Sequence, residues 1–332
     1  MTYSLLSDEA KEAPARIAEQ LEENEHTIEK LGSHLKIMQP RFIYMVGRGS
    51  SDHASGYAKY LFETETGVPV VGAAPSVTSI YGQKLNLEKS LVLVVSQSGR
   101  SPDVLQQAKM ARDAGAFVVA IVNDENSPLA EMIDVVLPLK AGEQNAVGAT
   151  KTFLTTLSAL LQLAATWSHN KALKKQIMQL PEYLQQAIDA PPLLLPEDFK
   201  DTQNCAILGR GFGFSVAKEI AMKLKGLCGI HAEPFSTAEF LHGAVGLVEH
   251  KIKIFNTIVH DESYASHMEQ IAHFEKNNIA VRHIQQKLKD IPPRLQPLAL
   301  MQRFYLDLTP LAESRGIDIN NPPGLQKITQ TV

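Results

Sequence analysis

Five consecutive apolar residues, Leu91-Val92-Leu93-Val94-Val95, run straight into Ser96-Gln97-Ser98-Gly99-Arg100-Ser101, and this junction constrains the chain more than any other stretch. The apolar run has no polar alternation, so it predicts a strand covered on both faces, as in a parallel sheet. Pro102 at a first helical position and Asp103 in the first turn predict a helix from there to about residue 114. A strand, a hydroxyl-rich turn and a helix start thus lie in line. Unpaired N–H groups and the positive helix end face three serine hydroxyls and a carboxamide, a place suited to a dianionic phosphate. An ordinary helix start would be satisfied by one capping hydroxyl.

The same grammar extends along the first half. Phe42-Ile43-Tyr44-Met45-Val46 predicts a strand, followed by Gly47-Arg48-Gly49-Ser50-Ser51-Asp52 and a helix to about residue 62. Further strands are expected at 68–71, 117–122 and 134–138. Strands alternating with helices through glycine or serine turns indicate an α/β fold, an open parallel sheet with helices on both faces. Ser50 and Ser51 would then stand at the carboxyl ends of the strands, where such sheets hold ligands. Ahead of the sheet, residues 7–35 carry an amphipathic pattern of one helix or two, facing a domain or a partner chain. Behind it, a polar small-residue loop over 142–151 leads into a long helix to residue 167, then an amphipathic segment over 171–188. Ala190-Pro191-Pro192-Leu193-Leu194-Leu195-Pro196 breaks helix and reads as an inter-domain link.

Past the link the first unit recurs. Cys205-Ala206-Ile207-Leu208 leads into Gly209-Arg210-Gly211 and a helix over about 215–226, as Met45-Val46 leads into Gly47-Arg48-Gly49. Two copies of one α/β unit, about 160 residues apart, are expected. In the second copy the strand over 252–259 ends in His260-Asp261-Glu262, whose carboxylates would repel phosphate. Neither Gly-Arg-Gly turn has the G-x-G-x-x-G spacing, and no G-x-x-x-x-G-K-[ST] run occurs, which sets dinucleotide and nucleoside triphosphate chemistry aside.

Composition narrows the classes further. A formal net charge of −4 gives no general attraction to nucleic acid or anionic membrane, so an anion site must be local. No apolar run is long enough to span a membrane, and residues 1–13 are polar and acidic rather than leader-like. Cys205 and Cys228 sit far apart among apolar residues, which predicts buried free thiols and a cytoplasmic location. Glu239 and His242 stand three apart and could share a helix face, but a metal site lacks a third ligand at good spacing. His242 before Gly243 instead suggests an imidazole at a helix end. The tail, rich in Pro and Gly over 318–329, reads as a flap that orders over a ligand, with Lys327 able to meet a phosphate or a carbonyl.

Several of these stretches share one pattern. Ser96-Gln97-Ser98-Gly99, the Gly49-Ser50-Ser51 turn, Ala149-Thr150-Lys151-Thr152, Lys223-Leu224-Lys225, His231-Ala232-Glu233, residues 239–243 and the tail to Lys327 together resemble the tandem sugar isomerase (SIS) domains. Those domains form the isomerase half of glucosamine-6-phosphate synthase and the SIS-type glucosamine-6-phosphate deaminases. The resemblance covers roughly residues 40–332 and implies a helical segment over 1–35, SIS domains over 36–190 and 191–315, and a lid tail over 316–332. It implies that Ser51, Ser96, Gln97, Ser98 and Ser101 hold the phosphate and that Ser50, Val147 and Ala149 line the sugar site. By the same resemblance Lys223 lies near the reacting carbons, and His242 from a neighbouring subunit opens the sugar ring. Lys327 is the lid lysine. A homodimer with shared sites follows, with no metal or organic cofactor, no nucleic acid and no membrane.

Two departures shape the expected chemistry. Thr2 stands where the synthase has a nucleophilic cysteine, and no glutaminase domain is expected, so the direction that releases ammonia is favoured: glucosamine 6-phosphate to fructose 6-phosphate. The family's proton-shuttling glutamate falls at Gly226. Aldose–ketose interchange needs a base between C1 and C2, so Glu219, Glu233 or Glu239 must serve, with Glu239 favoured. The competing expectations are a 6-phosphofructosyl-amine deglycase and a non-catalytic phosphosugar-binding protein.

Overall fold

The computed structural model describes residues 3–325. Within them the chain divides into two compact units, one made of Ala13–Gln144 and Lys151–Pro181, the other of residues 3–12, Asn145–Thr150 and 182–325.

In chain order, α1 (Leu5–Lys11) belongs to the second unit, and the first unit starts with α2 (Ala13–Met38). Then follow β1 (Ile43–Val46), α3 (Ser50–Thr66), β2 (Val70–Gly72), α4 (Ser76–Ser79), β3 (Leu91–Ser96), α5 (Pro102–Asp113) and β4 (Phe117–Val122). The unit is completed by α6 (Pro128–Met132), β5 (Val135–Pro138), α7 (Lys151–Trp167) and α8 (Lys171–Ile177). The strands form one parallel sheet in the order β2-β1-β3-β4-β5. Tyr44, Val46, Val92, Val94, Val118 and Ala120 point to one face, where Val104, Ala108 and Ala111 of α5 and Leu129 of α6 complete a buried core. The opposite face is covered by α2, α3 and α7, of which α7 is buried along its whole length. Burial on both faces is why β3 reads as an uninterrupted apolar run.

The second unit continues with α9 (Leu180–Asp189), β6 (Asn204–Gly209), α10 (Phe212–Cys228), β7 (His231–Ser236), α11 (Thr237–Leu241), β8 (Lys253–Thr257), α12 (Tyr264–Lys276), β9 (Val281–Ile284) and α13 (Gln296–Ser314). Its sheet is parallel in the order β7-β6-β8-β9, the order of the first sheet without a fifth strand. The recurrence inferred from the paired Gly-Arg-Gly turns is therefore a recurrence of topology.

The structure departs from the sequence reading in several places. The second strand falls at Val70–Gly72 instead of 68–71, because Pro69 has no N–H to give a ladder and contributes only its carbonyl, to Ile43 N–H at 2.8 Å. The segment over 171–188 breaks into α8 and α9, since Pro181 in the first turn of α9 cannot continue the preceding helix. The helix expected to end at Gly226 runs on to Cys228 and stops at Gly229, which takes the left-handed conformation with φ 62°. The N-terminal segment divides between units. The α1 helix joins the second, where Ser4 and Ser7 hydroxyls meet Thr309 at 2.7 and 2.8 Å and Gln302 donates to the Ala10 carbonyl. No helix among the described residues is long and apolar enough to cross a membrane.

Candidate functional site

In the first sheet β1 lies between β2 and β3, so the connections leaving β1 and β3 travel in opposite directions and open a crevice at their carboxyl ends. Both turns that line it carry predicted ligand residues. After β1, Gly47 must be glycine: a Cβ there would lie 2.8 Å from the Ser51 backbone, so its absence lets the first turn of α3 close onto the strand. That closure brings Ser50 and Ser51 to the strand end, both half-buried. After β3, Ser96 is buried and its Oγ accepts the Gly99 N–H at 3.1 Å, folding the turn back on itself. Gly99 has φ 61°, and a Cβ there would collide with Ser127. Ser98 accepts the Arg100 N–H, while Gln97 and Ser98 remain half-buried at the rim. Ser101 is the N-cap of α5, yet its side chain makes no capping bond. Ser51, Ser96, Gln97, Ser98 and Ser101 therefore lie on two adjacent turns of one unit, as the sequence implied, with the α5 N-terminus opening between them.

Sequence reasoning did not single out the bond that joins the two turns. Arg48 Nε donates to Asp103 Oδ2 at 2.6 Å, and the Asp103 side chain is fully buried. Asp103 Oδ1 accepts the Val104 N–H at 2.9 Å, which fixes the carboxylate in the first turn of α5.

In the second sheet the start of α10, the counterpart of α3, is capped by the chain itself. Asp261 Oδ2 accepts the Phe212 N–H at 2.9 Å at the start of α10 and packs against Gly211, whose φ is 52°. The Asp261 carboxylate, expected to repel phosphate, itself sits at a helix N-terminus, where an anion would bind.

The remaining predicted residues with described positions belong to the second unit. Lys223 and Glu219 lie one turn apart on α10, with Nζ–Oε1 at 2.9 Å and side chains 4% and 0% exposed. Tyr305 of α13 lies beside them, fully buried; burial first and the Glu219 carboxylate second push its hydroxyl well above the ordinary tyrosine range. Gly148, between Val147 and Ala149, packs against Leu227 of α10 and Leu6 of α1, where a Cβ would stand 2.9 and 3.0 Å from their methyl groups. Glu9 of α1 holds this loop, accepting the Asn145 N–H and, at 3.1 Å, the Ala146 N–H. Val147 and Ala149 are thereby brought to the helix that carries Lys223. Glu239 lies in the first turn of α11 and His242 is its C-cap, both exposed, so the imidazole does stand at a helix end. Gly226 faces Leu325, whose Cδ1 would meet a Cβ at 3.0 Å. Lys327 lies outside the described residues. Cys205 and Cys228 are buried free thiols, both pushed up to about 12 by burial. Among the described residues no cluster of three or more His, Cys, Asp or Glu side chains could hold a metal ion.

The SIS domain family profile matches residues 36–166. A solved candidate phosphosugar isomerase from Silicibacter pomeroyi is 33% identical and superposes with a TM-score of 0.88 over 96% of this chain and 100% of its own. The chain belongs to the SIS domain family. The SIS chain is also 30% identical over 309 residues to the isomerizing glutamine–fructose-6-phosphate aminotransferase of Thermococcus kodakarensis, covering 86% of this chain and 51% of the relative. It spans about half the length of the curated relatives it matches. The fold recurs in a glucosamine-6-phosphate deaminase from Thermotoga maritima, 21% identical with a TM-score of 0.70 over 95% of this chain and 100% of that one.

Proposed function

We propose that the chain is a phosphosugar deaminase-isomerase that converts glucosamine 6-phosphate and water to fructose 6-phosphate and ammonia. The observation that carries this reading is the pair of hydroxyl-rich turns at the carboxyl ends of β1 and β3, which meet at an α5 N-terminus whose N-cap hydroxyl has no capping bond. Ser51, Ser96, Gln97, Ser98 and Ser101 hold the phosphate; Ser50, Val147 and Ala149 line the sugar. Anchoring the phosphate places C1 and C2 at a fixed distance, which is the main contribution binding makes to the chemistry.

Three proton movements follow. His242 moves the proton between the ring oxygen and O1 that opens the pyranose. Glu239, exposed on the same short helix, takes the C2 proton and returns it to C1, as general base and then acid. The proton given up by the C2 amine goes to O1, so the aldehyde becomes a C1 alcohol and the amine-bearing C2 becomes a ketose imine. Water adds to that imine and ammonia leaves, so no oxidant is consumed. Lys223 is a cation beside the reacting carbons, positioned by Glu219. Lys327 closes with the tail onto the open-chain carbonyl. The second half acts as a second SIS domain. Two chains share sites in a homodimer, with His242 supplied by the neighbour, and the buried free thiols fit the cytoplasm.

The test follows glucosamine 6-phosphate labelled with carbon-13 at C2 by NMR. Label passing from an amine-bearing carbon to the C2 of fructose 6-phosphate, with one ammonia per ketose, supports the reading. Turnover of a 6-phosphofructosyl amine alone would make the chain a deglycase, and binding without turnover would make it a phosphosugar-binding protein.

A further inference from the structure

Arg48 follows β1 at the point where the first sheet changes direction, and its Nε is bound to Asp103 at 2.6 Å. That acid is fully buried, whereas the Arg48 side chain is 46% exposed. Asp103 is itself anchored to the Val104 N–H, two residues past the uncapped Ser101. The guanidinium is therefore pinned at the start of α5 by one edge. No other hydrogen bond of its side chain occurs among the described residues, so its two Nη groups remain to donate. A guanidinium is a planar fork, and one held through Nε presents its Nη edge with little further loss of freedom.

Charge accounting points the same way. A phosphate dianion entering this cradle meets the Arg48–Asp103 pair with the arginine on its exposed side and the acid buried behind it. The turns after β1 and β3 contain two arginines, Arg48 and Arg100, and Arg100 is drawn outward to Asp124 at 2.8 Å. The second copy provides an internal contrast. Arg210 holds the matching position after β6, but there Asp261 already occupies the α10 N-terminus, and α12, the helix after β8, has no acid in its first turn. The Arg–Asp clamp thus belongs to the first copy, where the α5 N-cap hydroxyl makes no capping bond.

We propose that Arg48 is the cation of the phosphate cradle, held by Asp103 so that its Nη edge donates to the phosphate of the ligand. It would select dianionic sugar phosphates over neutral sugars. This inference rests on the phosphosugar reading above.

The experiment measures binding of inorganic phosphate and of fructose 6-phosphate to the full chain by calorimetry, with fructose as the neutral control. Wild type is compared with R48K, R48Q and the double variant R48Q/D103N, each checked for folding by circular dichroism. R48Q is expected to weaken both phosphates at least tenfold, with R48K between it and wild type. The double variant should bind as weakly as R48Q, because removing the acid does not replace the lost donor. Recovery of wild-type affinity in the double variant would overturn the inference, reducing Arg48 to a neutraliser of Asp103. Unchanged affinity in R48Q would overturn it as well. Wild type that binds neither phosphate would overturn the phosphosugar reading itself, and this inference with it.

Discussion

The carboxylate of Glu219 and the ammonium of Lys223 stand 2.9 Å apart on α10 with both side chains closed off from solvent, one turn before a glycine where the family has a glutamate. Breaking such a pair strands one buried charge. Lys223→Met should cost about 3–5 kcal/mol in urea unfolding. The double variant Glu219→Leu/Lys223→Met should recover most of that loss, since neither charge remains. If Lys223 is the reacting cation proposed above, the double variant should remain inactive despite its recovered stability, which separates the two effects.

Exposure separates Glu219 from Glu239 among the three candidate carboxylates. Glu219 is buried against Lys223, whereas Glu239 is exposed beside His242. Glu239→Gln should lower kcat by roughly 100-fold or more while leaving KM for the phosphosugar within about twofold. Steady-state kinetics with both values resolved checks this. A rise in KM alone would assign Glu239 to binding.

Ser101 caps α5 by position but makes no capping bond, so its hydroxyl is free for a ligand at no cost to the helix. Ser101→Ala should raise KM for glucosamine 6-phosphate about tenfold, the value of a hydrogen bond to a charged group. Its melting temperature should stay within about 2 °C of wild type. Ser96→Ala should behave differently, because Ser96 Oγ also holds the Gly99 N–H inside the turn, and its loss should lower stability by about 1 kcal/mol.

The pH dependence of stability should carry the signature of His267. Burial first, then the positive charge of Arg210, pushes this imidazole down to about 4 from 6.5. Its folded form is neutral where the unfolded chain takes up a proton. Stability from this group is therefore full above about pH 6.5 and is lost as pH falls toward 4, by on the order of 3 kcal/mol. Urea unfolding at pH 7.5 and 5.0 checks the slope, and His267→Gln should flatten it.

How much of this was legible in the sequence depends on how local each signal was. The β3–α5 junction is written in consecutive residues, and the serines it offered lie on the turn where they were expected. The β7 and β9 strands carry no comparable local signal. The first carries Pro234 and two charged or titratable residues, the second reads Val-Arg-His-Ile without alternation, and both lie at the edges of the second sheet, where Pro and polar residues are tolerated. The Arg48–Asp103 clamp joins residues 55 apart, and Glu9 reaches a loop 136 residues away. No spacing rule announces such pairs; they exist only once the sheet order has brought the turns together. Asp103 did have a local reading, as an acid in a helix first turn, and that reading was complete without a partner.

Ammonia release from the purified chain is the decisive measurement, made by a coupled glutamate dehydrogenase assay with glucosamine 6-phosphate, galactosamine 6-phosphate and unphosphorylated glucosamine side by side. Ammonia should appear from glucosamine 6-phosphate and not from glucosamine if phosphate held by the β1 and β3 turns places C2 before the base. Equal rates with and without the phosphate, or no ammonia from any of the three despite saturable phosphosugar binding, would contradict it.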